Sequence, residues 1–74
     1  FVGTQSTARD GDGTSVAFKC SNSASMWLQN TRADAAGAAS NFAIEANGGT
    51  VSTRNHTNAA GSVETSGAGS VTGF

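Results

Sequence analysis

The single imidazole, His56, and the single thiol, Cys20, are where nucleophilic or proton-transfer chemistry would have to begin. A Ser–His–carboxylate triad needs three side chains to meet in space, and none of the ten serines sits in a Gly-x-Ser-x-Gly turn that would expose a nucleophile. A Cys20–His56 pair is formally available but has no local signature around either residue. His56 lies in the polar run Asn55-His56-Thr57-Asn58, which predicts a solvent-facing turn histidine. Cys20 alternates in phase with Val16 and Phe18, which predicts a buried, reduced thiol. Paired carboxylates for glycoside hydrolysis would come from Asp10, Asp12, Asp34, Glu45 and Glu64, and no pattern singles out two of them.

Asp10-Gly11-Asp12-Gly13-Thr14 begins like a calcium loop, but the twelfth position, where an EF-hand loop places Glu, is Ser21. A tight turn with Asp side chains bonded to the local backbone is the better reading. One His and one Cys cannot close a zinc site, and the glycines form no phosphate-cradling pattern. No metal, cofactor or catalytic residue is therefore expected. Asn55-His56-Thr57 is an N-glycosylation triplet of a kind frequent by chance in a chain rich in Asn and Thr. Trp27 is more informative. Exposed beside Gln29, Asn30 and Arg32 it could stack on a sugar ring; buried at a subunit interface it would be the largest core anchor available. The structural role is favoured, and Trp27, Gln29 and Arg32 are the candidate contacts to a receptor or glycan.

The material that must position these residues is unusual. Ala, Gly, Ser, Thr and Asn supply 48 of the 74 residues, and Leu, Ile, Val and Phe only 11. That is below the apolar share that usually marks a chain able to fold alone. The net charge is only −1, so self-repulsion does not keep the chain open. Chains of this size normally add disulfides, a metal or self-association. With one Cys and one His, self-association is the remedy left. Four scattered basic residues argue against a nucleic-acid surface. No apolar run is long enough to span a membrane, and no signal peptide is visible. Phe1 in place of Met, and a strand-like end at Phe74, give the expectation of a processed piece of a longer chain.

Period-2 alternation places strands at Thr14–Cys20, Ser25–Asn30 and Asn41–Asn47, with Phe42, Ile44 and Ala46 on one face of the last. Asn47-Gly48-Gly49 reads as a hairpin turn, with Thr50–Arg54 as its return strand. Weaker strands are expected at Ser62–Thr65 and Ser70–Phe74, and turns at Asp10–Gly13, Asn55–Gly61 and Ser66–Gly69. Ala33–Ala39 is too short and too Gly-interrupted for a stable helix and reads as a loop. No exact internal repeat is visible. The expectation is one all-β unit over residues 1–74. Its apolar faces are thin, two or three residues per strand, which suits identical chains each contributing a sector of a shared core. The expected architecture is accordingly an intertwined or prism-like homotrimer of short strands.

Ser25-Met26-Trp27-Leu28-Gln29-Asn30, a polar Ala/Gly/Ser excursion, and then Asn41-Phe42-Ala43-Ile44-Glu45-Ala46-Asn47-Gly48-Gly49 resemble the β-segments of bacteriophage tail fibres and tailspikes. The lack of Pro and the sparse Val and Phe at alternate positions match the same texture. The resemblance implies a homotrimeric, extracellular, virion-borne segment of a longer fibre. Its partner would be a host cell-surface receptor, a polysaccharide or an outer-membrane protein, bound without catalysis. It implies no particular site residue, since the family has no universal binding motif; the scattered basic residues and short apolar runs separately give the expectation of no nucleic-acid partner and no membrane-embedded part. The alternative is a small secreted carbohydrate-binding or adhesin β-module, such as an ice- or sugar-binding β-solenoid. Thr50, Thr53 and Thr57 hint at that, but the regular Thr-x-Thr ladder of a flat ice-binding face is missing. A small hydrolase built on His56 is the least favoured reading.

Overall fold

The computed structural model describes residues 1–9 and 11–73. Asp10, the first position of the calcium-like turn, and Phe74, the end of the expected last strand, lie outside the described residues. Seven strands follow one another: β1 (Gln5–Arg9), β2 (Thr14–Ser21), β3 (Ser25–Ala36), β4 (Ser40–Asn47), β5 (Thr50–Ala60), β6 (Ser62–Ser66) and β7 (Ser70–Thr72). The described residues are all-β, in keeping with their alternation and the scarcity of Leu, Glu, Lys and Gln.

The strands do not pair with their sequence neighbours. Odd strands form one sheet in the order β1-β3-β5-β7 and even strands a second in the order β2-β4-β6, with every ladder parallel. The chain alternates between two sheets and returns one level further along each time, which is the coil of a parallel β-solenoid. The molecule measures 27 × 26 × 14 Å. Its short dimension matches three spacings of about 4.8 Å between the four levels of the odd sheet.

The expected hairpin at Asn47-Gly48-Gly49 is corrected by this topology. Asn47 ends β4 in the even sheet and Thr50 begins β5 in the odd sheet, so the two flanking strands do not pair. Gly48 takes φ +78° to make the corner, and a Cβ on Gly49 would come within 2.7 Å of the Cys20 carbonyl carbon in the coil above. The two glycines are needed for a corner and a close approach. The same sequence signal serves a hairpin and a solenoid corner alike.

Two further expectations are corrected. Residues 33–36 are not a loop: they complete β3, where Ala33 and Ala35 are buried. His56 is not in a solvent-facing turn: it is 7% exposed within β5. One cause explains both. Asn30 and Asn55 adopt φ of +51° and +55° in mid-strand, and each left-handed residue bends its strand and shifts the alternation by one. Leu28 points inward before the bend and Thr31, Ala33 and Ala35 after it; Val51 and Thr53 point inward before the second bend and His56 after it. The two bends stack, and Asn55 Nδ2 donates to Asn30 Oδ1 at 2.7 Å. Asparagine tolerates this backbone region better than other residues with a Cβ.

The core is a column through the coils. Phe18, Cys20, Leu28, Ala33, Ala43, Ile44, Ala46 and Val51 are buried, with Ala17, Met26 and Val71 packed against them. Cys20 is buried and reduced, in line with its alternation. The even sheet carries one more phase change, a register shift between Phe42 and Ile44. It buries Ala43 completely and leaves Phe42 only half-buried, where simple alternation places Phe42 inside and Ala43 outside. Thin apolar stripes from successive coils of one chain thus stack into a continuous core. Three of its eight residues are alanines, beside the larger Phe18, Leu28, Ile44 and Val51.

Candidate functional site

The first limb of the odd sheet, before the asparagine bends, presents its outward positions as a small exterior face. Trp27 is in register with Ser52, and Ser52 with Thr72; Gln29 is in register with Arg54. Leu28, Val51 and Thr53 are buried, so their alternating neighbours Trp27, Gln29, Ser52 and Arg54 face outward. Trp27 is 46% exposed, a large share for the largest side chain of the molecule. Its indole N–H donates to Gln29 Oε1 at 3.1 Å, which satisfies its one polar atom. An exposed indole bonded to an amide, with an arginine on the neighbouring strand in register with that amide, has the chemistry to stack on a sugar ring and bond its hydroxyls.

The sequence analysis singles out Trp27, Gln29 and Arg32. The structure brings the first two together and sets Arg32 apart: it lies past Asn30, on the second limb of β3, in register with Gln5 and Thr57. Arg54 takes the expected place beside Gln29, through a pairing of residues 25 positions apart. Only the coil register could have revealed it, and the repeated Asn at 30 and 55 is the visible trace of that register.

A groove of about 410 Å³ adjoins this face at the β2–β3 corner. Trp27 and Lys19 stand at it, with Phe1, Cys20, Ser21 and Met26 among its other walls. The Phe1 ring packs on Phe18 with centroids 5.4 Å apart, and the Phe1 ammonium donates to the Trp27 carbonyl at 2.7 Å.

The other polar residues serve the coil. His56 is held from both sides: Nε2 and Asn58 Oδ1 are 2.6 Å apart, and Nδ1 and Thr31 Oγ1 2.7 Å apart. Because an amide oxygen only accepts, Nε2 carries the proton and Nδ1 accepts from the Thr31 hydroxyl. Cys20 Sγ donates to the Ala24 carbonyl at 3.3 Å; this thiol and the imidazole have different partners. Asp34 is clamped by Arg9 in a bidentate pair, with Oδ1 3.0 Å and Oδ2 2.7 Å from the two guanidinium nitrogens. That hydrogen bonding from Arg9, more than the Arg32 charge further off, holds its carboxyl below the usual 3.8. Glu45 and Glu64 do come into register, on the open exterior of the even sheet, with Glu45 paired to Lys19 at 3.2 Å. Among the described residues no three His, Cys, Asp or Glu side chains gather as a metal site. Among the described residues no helix is long and apolar enough to cross a membrane.

Comparison with known protein families, with curated proteins and with solved structures found no match to this chain.

Proposed function

We propose that this chain is a structural and adhesive segment of a bacteriophage tail fibre or tailspike. In this reading three copies pack side by side as a homotrimeric shaft or tip outside the host cell. The Trp27 face meets the host receptor, a polysaccharide or an outer-membrane protein, without breaking a bond in it. The observation that carries the reading is Trp27 itself, half exposed on a sheet exterior with its indole bonded to Gln29 and with Arg54 on the neighbouring strand. A ring 46% exposed at the rim of a groove is open to a ligand from outside the chain. The coil supports the reading too, since each turn of a solenoid adds length along one axis.

The test is a titration of bacterial surface polysaccharides followed by Trp27 fluorescence. A cognate glycan shifts the emission saturably, and Trp27→Ala weakens binding at least about tenfold, in keeping with loss of a stacking anchor. The same change should alter stability by less than about 1 kcal/mol, because the ring is not part of the core. A glycan that binds the Trp27→Ala variant as tightly as the parent would overturn the reading.

One observation favours the alternative, a secreted carbohydrate-binding or adhesin module: successive coils of one chain supply their own buried core. The mass of the folded chain separates the two. A trimer supports the fibre, and a stable monomer the self-contained module.

A further inference from the structure

The four basic residues of the chain are not equally engaged. Lys19 pairs with Glu45 at 3.2 Å and Arg9 with Asp34 at 2.7 Å. Arg32 stands near enough to Asp34 to favour its ionised form. Arg54 is exposed on β5, and among the described residues no carboxylate pairs with its guanidinium. Its permanent charge and its fork of N–H donors are open to a ligand.

The described carboxylates stand elsewhere. Glu45 and Glu64 are on the even sheet, Asp34 lies beyond the Asn30 bend on β3, and Asp12 is in the turn before β2. The outward positions of the first limb, Trp27, Gln29, Ser52, Arg54 and Thr72, therefore hold one cation and no anion, on a chain whose net charge is −1. This face runs along the side of the coil, so it does not depend on how far the coil extends. Gln29 is in register with Arg54, and Trp27 is two residues before Gln29 on the same strand. Outward residues two apart along a strand are separated by ~6.6 Å, and register partners on adjacent strands by about 4.8 Å. Trp27 and Arg54 thus stand on a diagonal of about 8 Å, within reach of one sugar unit and the long arginine side chain.

Resting on the reading of the Trp27 face as the receptor site, we propose that its ligand is an acidic polysaccharide, bound through a sugar carboxylate. The sugar ring stacks on Trp27, and its carboxylate takes two parallel N–H bonds from Arg54, the geometry in which guanidinium and carboxylate match. Gln29 has its oxygen on the indole and keeps its amide N–H groups for the sugar hydroxyls. Ser52 and Thr72 add hydroxyls on the same row as Trp27. A neutral glycan leaves the guanidinium without a counterpart, and no anion of this face competes for it.

Trp27 is the one tryptophan of the chain, so its fluorescence reports this face alone. The probes are polygalacturonate and polysialic acid, each beside the same polymer with its carboxylates reduced to alcohols. At least one acidic polymer should shift the emission saturably and bind at least about tenfold tighter than its reduced form, the size of one hydrogen-bonded contact to a charged group. Added salt should weaken the acidic polymer and leave the reduced one unmoved. Arg54→Gln should abolish the preference, and Arg54→Lys should keep part of it, because the charge stays and the fork is lost. The melting temperature should not move in either variant, which separates a lost contact from a damaged fold. Equal binding of acidic and reduced polymers, still sensitive to Trp27→Ala, overturns the acidic preference and leaves the face a glycan site. A preference that survives Arg54→Gln overturns the assignment to Arg54. Glycan binding indifferent to Trp27→Ala overturns the reading of the face itself. No response to either acidic polymer overturns the proposal, and a shift with poly-glutamate in their place assigns the face to an acidic protein.

Discussion

His56 shows what one residue's surroundings can hide. Its neighbours Asn55, Thr57 and Asn58 are polar, and taken locally they describe a turn. The side chain is nevertheless buried, because Asn55 takes a positive φ and turns the next position inward, where Thr31 and Asn58 meet both ring nitrogens. Cys20 was legible because it lies on an uninterrupted alternation; His56 was not, because it follows a phase shift that only the backbone reveals. The Arg9–Asp34 clamp joins strands 25 residues apart and has no local trace at all. It makes a residue-scale prediction. Asp34 has a folded pKa below its ordinary 3.8, so its ionised form is favoured by folding. Its contribution is present above that value and is lost as pH falls through the lowered folded pKa. Arg9→Gln should remove this component, making stability less dependent on pH below about 4, measured by urea unfolding at a series of pH values. An unchanged acid profile would show that the exposed pair contributes nothing, as many surface pairs do.

Among the elements, the bend in β3 and β5 has the largest consequence. Asn30 and Asn55 each combine a left-handed backbone with a side-chain amide that bonds its counterpart one coil away. The two contributions can be separated. Asn55→Ala loses the hydrogen bond and forces a Cβ into the left-handed region without compensation, which should cost about 2 kcal/mol. Asn55→Gly loses the bond but keeps a residue at ease there and should cost roughly half as much. The ranking Gly above Ala, read from denaturation midpoints, is the test; the reverse order would mean the bend is not held by Asn55. The strands themselves were largely legible. Thr14–Cys20 and Asn41–Asn47 follow from alternation nearly to the residue. Their partners did not follow, because Asn-Gly-Gly suits a hairpin as well as a corner. The repeat was hidden by unequal coils: Gln5 pairs with Arg32 and Ser25 with Thr50, but Thr50 pairs with Ser70.

For the whole molecule, the composition posed a question that the coil answers. A chain with so few large apolar residues cannot fill a conventional sandwich. In a solenoid inward residues are covered by their counterparts one level away, and Ala33, Ala35, Ala43, Ala46, Thr31 and Thr53 are all buried in this way. The candidate site is a product of the same arrangement, since Trp27, Gln29 and Arg54 converge only when β3 lies on β5 in this register. The Trp27 face depends on parallel coils, and the register can be observed in solution. Inter-strand nuclear Overhauser effects between backbone protons are the direct measurement. Parallel coils predict contacts from Trp27 to Ser52 and from Ser52 to Thr72, with none pairing residues 41–47 with 50–54. A hairpin across Asn47-Gly48-Gly49, seen as antiparallel contacts between those two segments, would contradict the coil and every site built on it.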